Sequence, residues 1–181
     1  MGSSYQLSAG RGDFQLYPSG FHQSSLYAIV IQDLSSPPPL NLRGVKVVTS
    51  SIPIKLPQFA TTKSVNYLPN VLSKVEAEEA DAFAGIWLDS DGFAAKGPNM
   101  NVAFVTKQKE LIMPHFDKSL TACTTKRILT LAECLMKEGK LQGIWMSNVT
   151  MDEGKKADEM MFIVFQWLNG EAVTPQFSFS E

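Results

Sequence analysis

The sequence is poor in the residues that mark metal-binding, nucleic-acid-binding and membrane proteins. Only two cysteines and two histidines occur among 181 residues. Cys123 and Cys134 lack a metal-ligand spacing, which predicts two reduced packing thiols and no metal site. No apolar run approaches the roughly 18 residues of a membrane span. The net charge of −2 argues against a strongly basic surface for nucleic acid, so we expect neither a membrane nor a nucleic-acid partner.

The N-terminus also lacks the features of a targeting segment. It has no basic start followed by an apolar core, and Arg11 alone does not make a transit peptide. Together with reduced thiols, this predicts a cytoplasmic location. The composition, 44% hydrophobic and 19% charged, is that of an ordinary globular protein. A chain of this length is expected to form one domain with a sizeable core.

The chain contains both short apolar runs, typical of strands, and apolar residues repeated at helical spacing. This combination predicts an α/β domain with a mixed sheet or pseudo-barrel and flanking helices. Residues Met1 to Gly20 are mostly small and polar, so we expect a linker-like loop there and the domain itself over 21–181. Tyr27 to Ile31 predicts a buried strand. Met160 to Trp167, the most hydrophobic run, predicts a central strand.

Two amphipathic helices are predicted from apolar residues three and four apart. The first follows Lys63, carries Glu76 on its solubilising outer face, and is expected to bury Leu68, Val71, Leu72 and Val75. The second is expected to run from an N-cap at Thr124 to Glu138, with an inner face of Ile128, Leu131, Leu135 and Met136.

Two motifs in this stretch resemble a known family. The segment from Lys63 to Asn70 (KSVNYLPN) is similar to the catalytic-lysine segment of fold-type IV pyridoxal-phosphate enzymes. The segment from Gly97 to Phe104 (GPNMNVAF) resembles their second signature. The resemblance runs from about Gly10 to Met161. It is strongest to plant proteins related to D-amino-acid transaminase and aminodeoxychorismate lyase.

The resemblance implies a fold, a cofactor and an activity. The chain would be the C-terminal, cofactor-binding domain of the D-amino-acid aminotransferase-like fold, with the family's N-terminal domain absent. Pyridoxal phosphate would be held by Lys63 as a Schiff base. An amino group would pass between an amino acid, of the D or branched-chain kind, and a 2-oxo acid. The alternative for Lys63 is an exposed lysine at a helix start. The resemblance also makes a plastid an alternative location.

Further positions take roles from the same resemblance. Thr124, with Cys123 beside it, matches the family's segment that holds the cofactor phosphate at a helix N-terminus. Asn101 and Tyr67 match residues that support the site. Simple N-capping for Thr124, a turn role for Asn101 and packing for Tyr67 are the structural alternatives.

Lys96 departs from the family pattern. The family has a glutamate there, which pairs with the pyridine nitrogen and keeps it protonated. A lysine repels a pyridinium, so transamination should be slowed severely, although the cofactor need not be lost. Whether the chain is an active enzyme stays open. The alternative is an inactive relative that acts as a binding or dimerising module, and chemistry with an unprotonated pyridine, such as racemisation, is a weaker third. Loss of a domain predicts an exposed apolar patch and self-association, as a homodimer or otherwise.

Overall fold

The computed structural model describes residues 2–12, 17–21, 23–31, 44–116, 123–163, 166–168 and 171–173. The chain divides into two compact units. One contains Met1–Pro39 and Trp167–Glu171, and the other contains Leu40–Gln166 and Ala172–Glu181. The expected boundary between residues 20 and 21 stays a prediction.

The N-terminal part of the first unit is a two-stranded ribbon. Strand β1 (Gly2–Ser8) pairs antiparallel with β2 (Ser25–Ile31), and a 3₁₀ helix spans Pro18–Gly20. The expectation of a loop is therefore wrong for β1, whose backbone groups pair along its whole length with those of β2. The strand expected at Tyr27 to Ile31 is confirmed. The expectation that it is buried is wrong, because Tyr27, Ile29 and Val30 are substantially exposed.

The second unit contains most of the regular structure. Its helices are α1 (Pro57–Ala60), α2 (Leu68–Glu79), α3 (Cys123–Lys137) and α4 (Met151–Lys156). Its main strands are β3 (Val47–Thr49), β4 (Ala84–Leu88), β5 (Ala94–Gly97), β6 (Met100–Val105), β7 (Glu110–Met113), β8 (Gly143–Met146) and β9 (Glu159–Ile163). Two short strands with residues in both units, β10 (Gln166–Leu168) and β11 (Glu171–Val173), form a separate two-stranded sheet. In the described part of the chain, no helix is long and apolar enough to cross a membrane.

The seven strands β3 to β9 form one mixed sheet centred on β6. The order is β3-β4-β5-β6-β7-β8, and β9 pairs with β6. The β3–β4 and β7–β8 pairs are parallel and the others antiparallel. Since β9 occupies one edge of β6 along Asn101 to Val105, β5 and β7 must share the other edge. The expected mixed sheet is confirmed. The central strand expected at Met160 to Trp167 is wrong, because β9 pairs only with β6 among the described strands.

The core lies on both faces of this sheet because side chains alternate along each strand. Val102 and Phe104 of β6 pack on one face with Ile86, Met160 and Phe162. Ala103 and its neighbours on the other face pack with α3, in a cluster of Ala103, Leu111, Met113, Ala132 and Ile163. The site described below lies on the face that carries α3.

Helix α2 packs on the sheet through small side chains instead of the expected apolar ones. Its buried residues are Asn70, Ser73 and Ala77. A Cβ atom at Gly85 of β4 would lie 2.7 Å from the Ser73 hydroxyl, so the glycine permits this close approach. The predicted inner face is wrong: between 43% and 66% of each of its four residues is exposed, namely Leu68, Val71, Leu72 and Val75.

Glu76 of α2 is not merely a solubilising charge. Its carboxylate accepts a hydrogen bond from the Ser50 hydroxyl and another, of 2.8 Å, from the backbone N–H of Ser51. These bonds from Ser50 and Ser51 lower the pKa of the carboxyl. They fix the start of the segment between β3 and α1, which carries Lys55.

Helix α3 is tied to β6 by one buried hydrogen bond. The Asn101 side-chain amide donates to the Thr125 hydroxyl at 2.7 Å, and Thr125 is completely buried. The helix buries Thr125 and Ala132, with Ile128 and Leu129 against the core. The expected inner face is thus right at Ile128 and wrong at three residues that stay substantially exposed, namely Leu131, Leu135 and Met136.

We predict that Thr125→Val destabilises the protein. Valine keeps the branched shape but removes the acceptor of the Asn101 amide, which then lies buried and unpaired. The expected loss in free energy of unfolding is about 1–3 kcal/mol, measured by urea denaturation. Thr130→Val is the matched control, because that exposed hydroxyl donates only to the Lys126 carbonyl of its own helix. Equal losses in the two variants would contradict the role given to the buried bond.

Candidate functional site

A cavity of about 320 Å³ lies against the sheet of the second unit. Four of its lining residues form one row across the strands: Trp87, Lys96, Asn101 and Ile163. Trp87 of β4 is opposite Lys96 of β5, Lys96 is opposite Asn101 of β6, and Asn101 is opposite Ile163 of β9. Directly opposed residues share a face of a sheet, so this row forms the floor of the cavity.

An irregularity in β5 brings Lys96 into this row. Leu88 is opposite Ala94, but Trp87 is opposite Lys96, so Ala95 is an extra residue on β5. Such a bulge reverses the alternation of side chains beyond it. In a regular strand Lys96 would share the face of Ala94, which belongs to the apolar core. The bulge places the Lys96 side chain on the cavity face instead.

Lys63 and Tyr67 line the cavity from the segment that begins α2. The Lys63 Nζ donates a hydrogen bond of 2.9 Å to the Tyr67 hydroxyl. That Nζ lies 5.5 Å from the centre of the Tyr67 ring, and the Nζ of Lys55 lies 5.4 Å from it. Two ammonium groups therefore flank one aromatic ring, and both lysines line the cavity.

Asn70 connects this segment to the Gly97–Asn101 turn. Its side-chain amide donates to the Pro98 carbonyl and to the Asn99 side-chain oxygen. Asn70 is buried and its own side-chain oxygen has no partner among the described residues. The bonds hold the turn against the first turn of α2, so the two sequence motifs lie together on one side of the cavity.

The N-terminus of α3 contributes one polar residue to the cavity. Thr124 lines the cavity, but it is the second residue of α3 and not the residue before it. Cys123 is an exposed free thiol and is not among the residues that line the cavity. The neighbouring Thr125 faces the protein interior and holds Asn101.

The cavity is strongly biased toward positive charge. Lys55, Lys63 and Lys96 line it, and no carboxylate does so among the described residues. Burial is the main cause of a lowered pKa for the Lys96 amine, and the charges of Lys55 and Lys63 lower it further. The indole N–H of Trp87, a residue that is 2% exposed, has no acceptor among the described residues. These groups suit a small anionic ligand with hydrogen-bond acceptors.

Five of the six site residues expected from the sequence thus line one cavity: Lys63, Tyr67, Lys96, Asn101 and Thr124. Sequence reasoning missed Lys55, Asn70, Trp87 and Thr125. Asn70 falls inside the lysine motif, which was its only sequence signal. Trp87 depends on strand register and Lys55 on the segment after β3, whereas Thr125 lies beside Thr124 in α3. The described residues contain no cluster of three side chains suited to a metal ion.

Comparison with known proteins gives this arrangement a context. The chain is 58% identical over 172 residues to a D-amino-acid transaminase, chloroplastic, of Arabidopsis thaliana, covering 90% of this chain and 45% of that protein. The chain spans about half the length of the first curated relatives it matches.

Solved structures share the fold. The branched-chain amino acid aminotransferase of T.th. with pyridoxamine 5'-phosphate superposes with a TM-score of 0.76 at 21% identity, over 90% of this chain and 52% of that one. The branched-chain amino acid aminotransferase of Escherichia coli gives a TM-score of 0.75 at 20% identity, over 95% of this chain and 55% of that one. The fold expected from the two motifs is confirmed.

The match to a family extends over both units of the chain. Residues 4–163 fit the family described as amino-transferase class IV, and that range contains every residue that lines the cavity. The chain therefore belongs to the class IV aminotransferase family.

Proposed function

We propose that this chain forms the cofactor-binding part of a pyridoxal-phosphate-dependent aminotransferase, with Lys63 as the residue that attaches the cofactor. One observation carries the proposal. The lysine segment, the Gly97–Asn101 turn and Thr124, far apart in sequence, line a single cavity. The 58% identity to a D-amino-acid transaminase supports the same conclusion.

The residues present fit the aldehyde and the phosphate of the cofactor. The Lys63 amine, exposed and bonded to Tyr67, is available to the aldehyde. Thr124 and the N-terminal N–H groups of α3 suit the phosphate. When bound, pyridoxal phosphate supplies an electron-withdrawing ring. Asn101, fixed by Thr125, and Asn70 hold the surrounding segments in place. Cys123 faces solvent, so we propose no cofactor contact for its side chain.

The residues present fit the pyridine nitrogen of the cofactor poorly. Lys96 lines the cavity where the family motif has a glutamate, and no carboxylate of the described residues replaces it. A carboxylate would keep the ring nitrogen protonated, whereas the neighbouring lysines oppose that proton. We propose that amino-group transfer between an amino acid and a 2-oxo acid is impaired for this reason. D-amino and branched-chain amino acids are the substrate classes that the relatives' names support.

We propose a plastid location for the chain. The Arabidopsis relative is named as chloroplastic, which supports the plastid alternative over the cytoplasmic one.

We expect purified protein to develop the visible absorption band of lysine-bound pyridoxal phosphate when it is titrated with the cofactor. Lys63→Ala should weaken the band at limiting cofactor concentration, because the exposed amine that attaches the cofactor is gone. A spectrophotometric titration of both proteins measures this. Lys74→Ala is the matched control. That exposed lysine donates to the Phe83 carbonyl, lies over the Phe83 ring and is not among the residues that line the cavity.

A band of equal strength in the wild type and Lys63→Ala would overturn the assignment of Lys63. In the same titration, Lys96→Glu addresses the impairment. The expected result is that only Lys96→Glu loses its lysine-bound band on addition of a D-amino acid. An equally fast loss in the wild type would show that Lys96 does not impair the transfer.

A second candidate function rests on the exposed face of α2. We infer that the chain could serve as a binding or dimerising module through Leu68, Val71, Leu72 and Val75, which lie on the helix surface and remain substantially exposed. An apolar helix stripe of this kind is ordinarily covered. A second copy of the chain would cover it.

We predict that the protein self-associates and that the double variant Leu72→Gln, Val75→Lys weakens the association. Loss of two apolar side chains from the contact should raise the dissociation constant by roughly tenfold or more, measured by sedimentation velocity. Leu131→Gln is the matched control, because Leu131 is similarly exposed but lies on α3. A monomer at every concentration, or an equal effect of Leu131→Gln, would contradict the prediction.

A further inference from the structure

The cavity contains a second lysine whose surroundings differ from those of Lys63. Lys63 is exposed, and its amine donates to the Tyr67 hydroxyl. Lys96 is half-buried on the floor strand β5, between Trp87 and Asn101 in the cross-strand row. No hydrogen-bond or ion-pair partner is described for its amine, and the charges around it, Lys55 and Lys63, are of its own sign. The bulge at Ala95 aims this side chain into the cavity.

Such surroundings favour the neutral, nucleophilic form of an amine. An ordinary lysine is neutral in only about 0.04% of molecules at pH 7, and each unit by which the pKa falls raises this fraction tenfold. Removal from water penalises the ammonium ion of Lys96, and two nearby cations add to the penalty. Reactive lysines of other enzymes are activated by the same two effects.

The remaining polar groups of the cavity indicate what would reach this amine. Lys55 and Lys63 attract an anion, Thr124 offers a hydroxyl at a helix N-terminus, and the buried Trp87 N–H lacks an acceptor among the described residues. An anionic group could satisfy these donors while a carbonyl on the same molecule lies beside Lys96. A small aldehyde that carries a phosphate or carboxylate has both parts.

We propose that Lys96 is a second carbonyl-reactive amine, which condenses with anionic aldehydes in this cavity independently of Lys63. The neutral amine attacks the carbonyl carbon and forms a carbon–nitrogen bond. Both amine protons pass to the carbonyl oxygen, the carbon–oxygen bond breaks and water leaves. A carbon–nitrogen double bond remains, and no oxidant or reductant takes part. The proposal goes beyond the function proposed above, because it does not require Lys63 to react.

The test maps adducts by residue. Wild type, Lys63→Gln and Lys96→Gln are incubated at pH 7 with pyridoxal phosphate, or with pyridoxal as the same aldehyde without the phosphate. Borohydride then fixes each adduct, and peptide mass spectrometry gives its occupancy at each lysine. Lys107, exposed in the turn after β6, is the internal reference. Circular dichroism confirms that each variant is folded, and the wild type gives the same comparison without any substitution.

In Lys63→Gln we expect the occupancy of Lys96 to exceed that of Lys107, because the cavity concentrates the anionic aldehyde and burial disfavours the ammonium form of Lys96. Pyridoxal should label Lys96 several-fold less than pyridoxal phosphate does. A Lys96 occupancy at or below that of Lys107, in both Lys63→Gln and the wild type, would overturn the proposal. Equal labelling by the two aldehydes would overturn its anionic selectivity. Labelling of Lys96 without Lys63 in the wild type would contradict the function proposed above but support this inference.

Discussion

The register between β4 and β5 is the constraint on which the site depends. One extra residue, Ala95, separates the pairs Leu88–Ala94 and Trp87–Lys96. It turns Lys96 out of the apolar core and into a row that continues through Asn101 to Ile163. Asn70 holds the turn beside it, and Thr125 holds Asn101 from α3.

The position of Lys96 in the floor row of the cavity lowers the pKa of its amine. The sheet and helices withdraw the Lys96 amine from water, while Lys55 and Lys63 approach from the segments around α1 and before α2. A carboxylate at position 96 would be stabilised by those two cations. With a lysine at position 96, the amines of Lys55, Lys63 and Lys96 line the same cavity. Both proposals, the impaired amino-group transfer and the carbonyl-reactive Lys96 amine, rest on this arrangement of charges.

Much of the fold and most of the site could be predicted from local sequence. The helix expected from Thr124 to Glu138 is α3, Cys123–Lys137. Five expected site residues share the cavity, because contiguous motifs carry them. The residues through which each helix packs on the sheet could not be predicted. Helix α2 buries Ser73 and Ala77 and exposes Val71 and Leu72, since the close approach permitted by Gly85 outweighs the apolar period. The bulge at Ala95 has no sequence signal of its own, so the family resemblance, and not the alternation of residues along the strand, placed Lys96 in the site.

The protonation of Lys96 tests this account most directly. In protein labelled with ¹³C at the lysine ε carbons, a pH titration followed by nuclear magnetic resonance reports the pKa of each lysine, and the Lys96 signal is the one missing from Lys96→Gln. The account predicts a midpoint below 10.5, the ordinary value, because burial and two neighbouring cations disfavour the ammonium form. A midpoint at or above 10.5 would mean that the amine is solvated or paired with an anion. It would contradict both the electrostatics of the cavity and the reactivity proposed for Lys96.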